Sequence, residues 1–201
     1  MKIFQKIILV LLFLLIACEP AKLEVSDSDS TIKDIIVGMH GGSPVPENWS
    51  DCGGKIGDHP CNFSFKDQNG DVFELYKNYN KTILLDFSTM WCGVCNNIAH
   101  DSQKFMEEYG HNNFLWVTIL VDNNYGDSVT QQDTLDWATL YGISDSPVLA
   151  GDRSVMDASG NNGYPVTSWP TIVILDKNMI IKYGINGWNE QTIKQWIELE
   201  L

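Results

Sequence analysis

Apolar and polar positions along this chain fall into segments of recognisable period. Phe63 and Phe65 alternate with polar neighbours, Asp67-Gln68-Asn69-Gly70-Asp71 supplies turn residues, and Val72-Phe73-Glu74-Leu75 returns. That pattern predicts a hairpin. Asp67, Asn69 and Asp71 lack the long glutamate-terminated loop of a calcium site, so they are assigned to a plain turn. Thr82 to Phe87 and Phe114 to Val121 are short, nearly continuous apolar runs, as in strands buried on both faces. Between them Val94, Ile98, Phe105 and Tyr109 fall on one helical stripe ending at Gly110. Thr134 to Tyr141 predicts a second helix, closed by Gly142. Thr171 to Leu175 predicts a strand, Lys177-Asn178 a turn, and Met179 to Ile185 a further strand. A closing amphipathic helix carries Ile193, Trp196, Ile197 and Leu201 on one side, with Asn189 as its cap. Strands alternating with helices, then a terminal hairpin and helix, predict an α/β sheet of mixed strand direction. No internal repeat is present.

The N-terminal region obeys different rules. Lys2 and Lys6 flank the start, and Ile7 to Ala17 is an unbroken apolar run of eleven. A helix needs about 20 residues to cross a bilayer, so residues 1–17 are predicted to be a secretory signal. The run ends in Leu15-Ile16-Ala17-Cys18, which resembles the lipobox of bacterial lipoproteins. That resemblance implies a lipidated Cys18 as mature N-terminus and a domain anchored on the exported side of a bacterial membrane, periplasmic or surface-facing. Glu19 to about Lys33 is polar, rich in Ser and Asp and aperiodic, as a tether is. Gly38 to Pro60 holds six glycines and three prolines, so it is expected to be irregular but pinned. The expected organisation is therefore a signal over 1–17, a tether and irregular segment over 18–60, and one folded domain over 61–201.

Composition narrows the function. At 44% hydrophobic with seven tryptophans, 201 residues suffice for one domain with a real core. Thirteen basic residues face 26 acidic ones, a net charge of −13. Loss of Lys2 and Lys6 with the signal leaves 11 against 26, near −15. Arg153 is the only arginine. A nucleic-acid binder needs a basic face, and none is available here.

Besides Cys18 there are four cysteines, an even number in a compartment where disulfides persist. Four allow three pairings; the two-residue spacing suits Cys92 to Cys95, which leaves Cys52 with Cys61. A Cys52–Cys61 bridge would stabilise by roughly 2.5–3 kcal/mol on a loop-entropy estimate. The alternative for that segment is metal capture by Cys52, His59 and Cys61, with His40.

Trp91-Cys92-Gly93-Val94-Cys95 stands where a buried strand hands over to a helix. At a helix N-terminus, unpaired N–H groups and the dipole favour an anion, so Cys92 is expected to be exposed and to act as the nucleophile. Cys95, one turn inside, would then resolve the mixed disulfide. Zinc would need two further ligands at comparable spacing, and no second close pair follows. A c-type haem would need histidine where Asn96 stands. Thr89, three before Cys92, matches a peroxiredoxin, but Leu85 replaces the proline four residues before it.

Leu84-Leu85-Asp86-Phe87-Ser88-Thr89-Met90-Trp91-Cys92-Gly93-Val94-Cys95 resembles the active-site strand and helix of the thioredoxin superfamily. Trp169-Pro170-Thr171 is similar to that family's cis-proline segment. The preceding hairpin, the lipobox and the long stretch between Cys95 and Pro170 resemble the TlpA/ResA-like branch of membrane-tethered thiol–disulfide oxidoreductases. The resemblance covers about residues 61–201. It implies a thioredoxin-like mixed sheet flanked by helices, with an N-terminal hairpin and a central insertion. It also implies exchange with cysteine-containing envelope proteins and a membrane redox partner, without a cofactor or a metal. Asp86 falls on the family's buried aspartate and would take the proton from Cys95. Trp91, Trp169 and Pro170 would shape the substrate groove. Val94 departs from the proline common between the cysteines, and Ile98 and His100 from a glutamate and proline common in the next turn; His100 is expected on the surface. The competing function is a soft-metal or copper carrier using Cys92 and Cys95, with Met90 nearby.

Overall fold

The computed structural model describes residues 51–201. The signal over 1–17, Cys18, the tether and His40 lie outside the described residues. Among the described residues, seven strands and three α-helices follow in chain order: β1 (Ser64–Lys66), β2 (Val72–Glu74), β3 (Thr82–Ser88), α1 (Gly93–Tyr109), β4 (Phe114–Leu120), α2 (Gln131–Tyr141), β5 (Val148–Ala150), β6 (Thr171–Leu175), β7 (Ile181–Asn186) and α3 (Glu190–Glu200). No helix among the described residues is long and apolar enough to cross a membrane.

β1 and β2 form the expected antiparallel hairpin, with Phe65 opposite Phe73. Its turn is closed by Asp67, whose Oδ1 accepts from the backbone N–H groups of Asn69 and Asp71 at 2.8 and 3.0 Å. The other strands make one sheet in the order β5-β4-β3-β6-β7. β3 runs parallel to β4 and antiparallel to β6, so the strand directions are mixed as expected. Gln68, in the hairpin turn, is buried against the edge of this sheet. Its Nε2 donates to the Ser146 carbonyl at 3.1 Å and its Oε1 accepts from the Val148 N–H at 2.8 Å.

The central strands send alternate residues to opposite faces, as the pleat requires. Ile83, Leu85 and Phe87 join Val117, Ile119, Val173 and Leu175 in one core, covered by Phe63, Leu75 and Tyr164. Leu84, Trp116, Ile172 and Ile174 face the other way, onto Ile98 and Phe105 of α1 and Ile193 and Ile197 of α3. Each such fully buried aliphatic side chain contributes roughly 1.5–3 kcal/mol over exposure. Continuing the even positions toward the strand ends, this second face turns polar: Asp86 and Ser88 on β3 and Thr118 on β4 are all buried.

Three local expectations need correction. Val94 is not on the buried stripe of α1; it is 48% exposed, because Cys95 takes the inward position and Val94 lies about 100° round from it. The stripe is Cys95, Ile98, Ala99, Ser102, Phe105 and Tyr109. α2 begins at Gln131 rather than Thr134, because Thr130 and Asp133 form a capping box. β7 begins at Ile181, since Met179 belongs to the turn with φ 57° while its side chain is buried.

Residues 51–61 contain neither helix nor strand but are fastened at both ends. Cys52 and Cys61 are joined by a disulfide, with Cα atoms 4.7 Å apart. Gly54 donates to the Gly160 carbonyl at 2.9 Å, and Gly57 and Asp58 pair with Ile181 at the start of β7. A Cβ at Gly54 would lie 2.2 Å from the Gly163 carbonyl oxygen, so only glycine allows this close approach.

Candidate active site

β3 ends at Ser88, and Thr89-Met90-Trp91 carry the chain into α1. Cys92 is the N-cap of α1, with extended backbone (φ −83°, ψ 114°). Its Sγ accepts from the Cys95 N–H at 3.3 Å, so one orphan donor of the first turn points at this sulfur. The junction is held by polar bonds. Met90 donates its N–H to the Asp122 carbonyl at 3.0 Å. Asn96 Nδ2 donates to the carbonyls of Met90 and Cys92 at 3.0 and 2.7 Å, and Tyr141 Oη donates to Asn96 Oδ1.

Cys92 and Cys95 are free thiols in this structure. Contrary to expectation, Cys92 is nearly covered, with 8% of its surface exposed. The cover is the Trp169–Pro170 segment, joined by a cis peptide bond; the Trp169 carbonyl oxygen lies 3.8 Å from Cys92 Sγ. Trp91 is half exposed beside it, Trp169 is half-buried and Pro170 is buried. The structure thus brings Cys92, Cys95, Trp169 and Pro170 together at one place. His100 is on the surface, edge-on to Tyr141.

Cys95 is fully buried on the inward stripe of α1, packed with Met90, Ala99 and Leu120. Burial and its bond to Cys92 push the Cys95 thiol well above the ordinary thiol range, and the Asp86 charge adds to this. Asp86 is itself 1% exposed. Burial raises its carboxyl to about 7, against hydrogen bonds from Ser88, Thr118 and Trp116 that favour the anion. Ser88 Oγ donates to Asp86 Oδ1 at 2.6 Å. Thr118 Oγ1 donates to Asp86 Oδ2 at 3.3 Å and accepts from Trp116 Nε1 at 3.1 Å.

Cys52 and Cys61 lie in a different environment. Their loop is bonded to Gly160, Met179, Ile181 and Tyr164. With both sulfurs in the bridge, neither is a thiolate ligand for a metal with His59. Among the described residues no group of three His, Cys, Asp or Glu is gathered in a way that could hold a metal ion.

Some site residues escaped the sequence reading. Ser88 has a visible signal, since positions two apart on a strand share a face and Asp86 is two before it. Asn96 and Arg153 have none. Arg153 bonds both oxygens of Asp122, at 3.2 and 2.5 Å, and its guanidinium lies 6.0 Å from the centre of the Trp169 ring. It thus sits beside the residue whose carbonyl faces Cys92.

Known proteins resemble this chain in sequence and in fold. The AhpC/TSA family model matches residues 56–184. Thiol-disulfide oxidoreductase ResA of Halalkalibacterium halodurans is 28% identical over 145 residues, covering 72% of this chain and 77% of that protein. Thioredoxin-like protein YneN of Bacillus subtilis is 24% identical over 145 residues, covering 72% and 79%. In fold, the chain is similar to a thiol:disulfide interchange protein of the thioredoxin family from Chlorobium tepidum, with a TM-score of 0.59 and 18% identity over 73% of this chain and 97% of that one.

Proposed function

Since this chain belongs to the AhpC/TSA family and is a thioredoxin-like thiol–disulfide oxidoreductase, we propose that it exchanges electrons with protein cysteines through Cys92 and Cys95. The thiolate of Cys92 attacks a partner's disulfide, forming a mixed disulfide and releasing one partner thiolate. Cys95 then gives its proton to Asp86 and attacks Cys92 Sγ. The second partner sulfur leaves as a thiolate, and Cys92–Cys95 is left as the disulfide. The reverse reaction passes through the same atoms. Trp91, Trp169 and Pro170 form the groove in which the partner chain lies beside Cys92, and no cofactor is needed, because the two sulfurs carry both electrons.

The observation that carries this reading is the contrast between the two sulfurs. Cys92 accepts from a backbone N–H at the start of α1, beside the groove segment. Cys95 is buried one turn inside, next to an acid whose carboxyl is held near 7. The test is to express Cys95→Ser and Cys92→Ser variants and compare covalent partner complexes on non-reducing gels. Cys95→Ser is expected to trap a mixed disulfide and Cys92→Ser little; equal trapping by both would remove the assignment of roles.

Cys18 is the proposed lipid attachment point, which would hold the domain on the exported side of a membrane near its partners. The support is the sequence Leu15-Ile16-Ala17-Cys18 after an apolar run. Cys18→Ser should release the protein or leave an uncleaved precursor, and unchanged lipid labelling of that variant would count against it.

A further inference from the structure

Cys92 is covered by a stretch without regular structure. Residues 165–170 form neither helix nor strand. The Trp169 carbonyl oxygen nevertheless lies 3.8 Å from Cys92 Sγ, and Trp169 packs against the cluster of Met90, Cys92 and Cys95. Backbone groups fasten the stretch at Val166, Ser168 and Pro170, and none of those bonds involves the indole.

The charged neighbour of that indole is Arg153, whose guanidinium carbon lies 6.0 Å from the ring centre, within reach of a cation–π attraction. Arg153 is itself fixed. Asp122, 4% exposed, takes its Nε at 3.2 Å on one carboxylate oxygen and its Nη2 at 2.5 Å on the other. Such two-point pairing sets the plane of a guanidinium as well as its place. The turn that carries Arg153 is fixed too: Asp152 Oδ1 accepts from the Ser154 N–H at 2.7 Å, and the Val155 carbonyl accepts from the Tyr164 N–H at 2.9 Å. Asp122 also holds the other side of the site, since its carbonyl accepts the Met90 N–H at 3.0 Å, two residues before Cys92. One buried acid therefore joins the junction that carries Cys92 to the cation beside the ring packed on it.

We propose that Arg153, locked by Asp122, is a positioning residue that keeps Trp169 closed on Cys92 and so sets how readily a partner's disulfide reaches that sulfur. The inference rests on the proposed role of Cys92 as the attacking sulfur and adds what controls access to it. Arginine suits this task and lysine does not. A planar fork engages both oxygens of Asp122 while presenting a flat cation to the indole, whereas an ammonium is a point charge on a flexible stem. Arg153 is the only arginine in the chain.

Access and charge predict opposite signs. A guanidinium acting directly on Cys92 would favour its thiolate, so its loss would raise the titration midpoint and slow reaction near neutral pH. A guanidinium acting through the ring would, when lost, speed the reaction. The test reacts the reduced full chain with iodoacetamide from pH 5 to 10 and reads Cys92 and Cys95 separately from peptide fragment masses. The plateau rate at high pH reports access to the thiolate, and the midpoint reports charge.

Arg153→Ala is expected to raise the Cys92 plateau by about twofold to fivefold, the population factor of an exposed cation–π contact, with Cys95 unchanged. Trp169→Ala should raise it at least as much. Adding Arg153→Ala to Trp169→Ala should raise it no further, since one contact carries both effects. Arg153→Lys keeps the charge without the fork and should fall between Arg153→Ala and the original chain.

The inference is overturned if the Arg153→Ala plateau is unchanged, if only the midpoint moves, or if the Arg153 and Trp169 substitutions multiply. A parallel rise at Cys95 also overturns it, because the whole junction would then have loosened rather than its cover. Failure of the underlying roles shows elsewhere: equal trapping by Cys92→Ser and Cys95→Ser on non-reducing gels would overturn the reading beneath this one without altering any plateau.

Discussion

Two cysteine pairs in this domain meet different fates. Cys52 and Cys61 close a glycine-rich loop whose backbone is bonded to Gly160 and Ile181, and their sulfurs are joined. Cys92 and Cys95 are free thiols at a strand–helix junction, with a backbone N–H aimed at the outer sulfur and an acid near the inner one. Sulfur chemistry is the same in both, so the surroundings make the difference. One pair has a buried acid nearby and the Trp169–Pro170 segment against it; the other has only chain to hold together. A bridge is expected to be redox-active where the fold supplies a place for the partner and for the proton, and structural where it supplies neither.

The largest effect expected from this contrast is at Cys92. Cys92→Ser should reduce disulfide exchange on the order of a thousandfold or more, measured as turnover of a disulfide-bonded substrate. Activity retained in that variant would move the reactive sulfur elsewhere.

Next comes the pH dependence of stability. Asp86 is held near 7 in the folded chain against its ordinary 3.8. Between those values the folded state keeps a proton that the unfolded chain has lost. The contribution is therefore full below about pH 4, declines as pH rises and is gone above about 7. Asp86→Asn should remove that slope, and at pH 8 it should be the more stable protein, by on the order of a few kcal/mol. Thermal melts from pH 4 to 8 check this, and parallel curves for the two proteins would show that Asp86 does not titrate there.

Opening the other pair should act on stability alone. Cys52→Ser/Cys61→Ser is expected to lose roughly 2.5–3 kcal/mol, a fall in Tm of about 5–12 °C, with exchange activity retained. Lost activity with an unchanged Tm would make this pair a second redox centre relaying electrons to Cys92.

The smallest effect is expected at the clasp of the active junction. Asn96→Ala removes two bonds to the carbonyls of Met90 and Cys92 and should cost about 1–2 kcal/mol, seen as a lower urea midpoint. No change in midpoint would assign the clasp to Tyr141 packing instead.

Four of the five sheet strands were readable in the chain, because β3 and β4 are buried on both faces and β6 is apolar apart from Thr171; the three-residue edge strand β5 was too short to show a pattern. The C-x-x-C motif was readable because strand, turn and helix are contiguous there, whereas Asp86 stood out only through the family resemblance. The burial of Cys92 was not, because its cover is Trp169, 77 residues away in the chain. The inward position of Cys95 displaced Val94 from the stripe, a choice made by the sheet beneath rather than by helical spacing. The start of α2 was written in Thr130 and Asp133 but hidden from an apolar count, since a capping box is polar. The docking of residues 53–58 on Gly160 and Ile181 left no periodic trace.

The amide of Gln68 occupies the hydrogen-bonding positions that a sixth strand would use beside β5. An open strand edge is a template on which another molecule can add itself and begin a fibre. Here the hairpin turn covers that template, with the Gln68 amide bonded at Ser146 and Val148 and the backbone of Asp67 bridged to Leu149. At the far side of the sheet, Gly57 and Asp58 fill the corresponding slots at Ile181. Replacing Gln68 by an apolar residue of similar size is therefore expected to free the Ser146 carbonyl and the Val148 N–H for pairing with another chain.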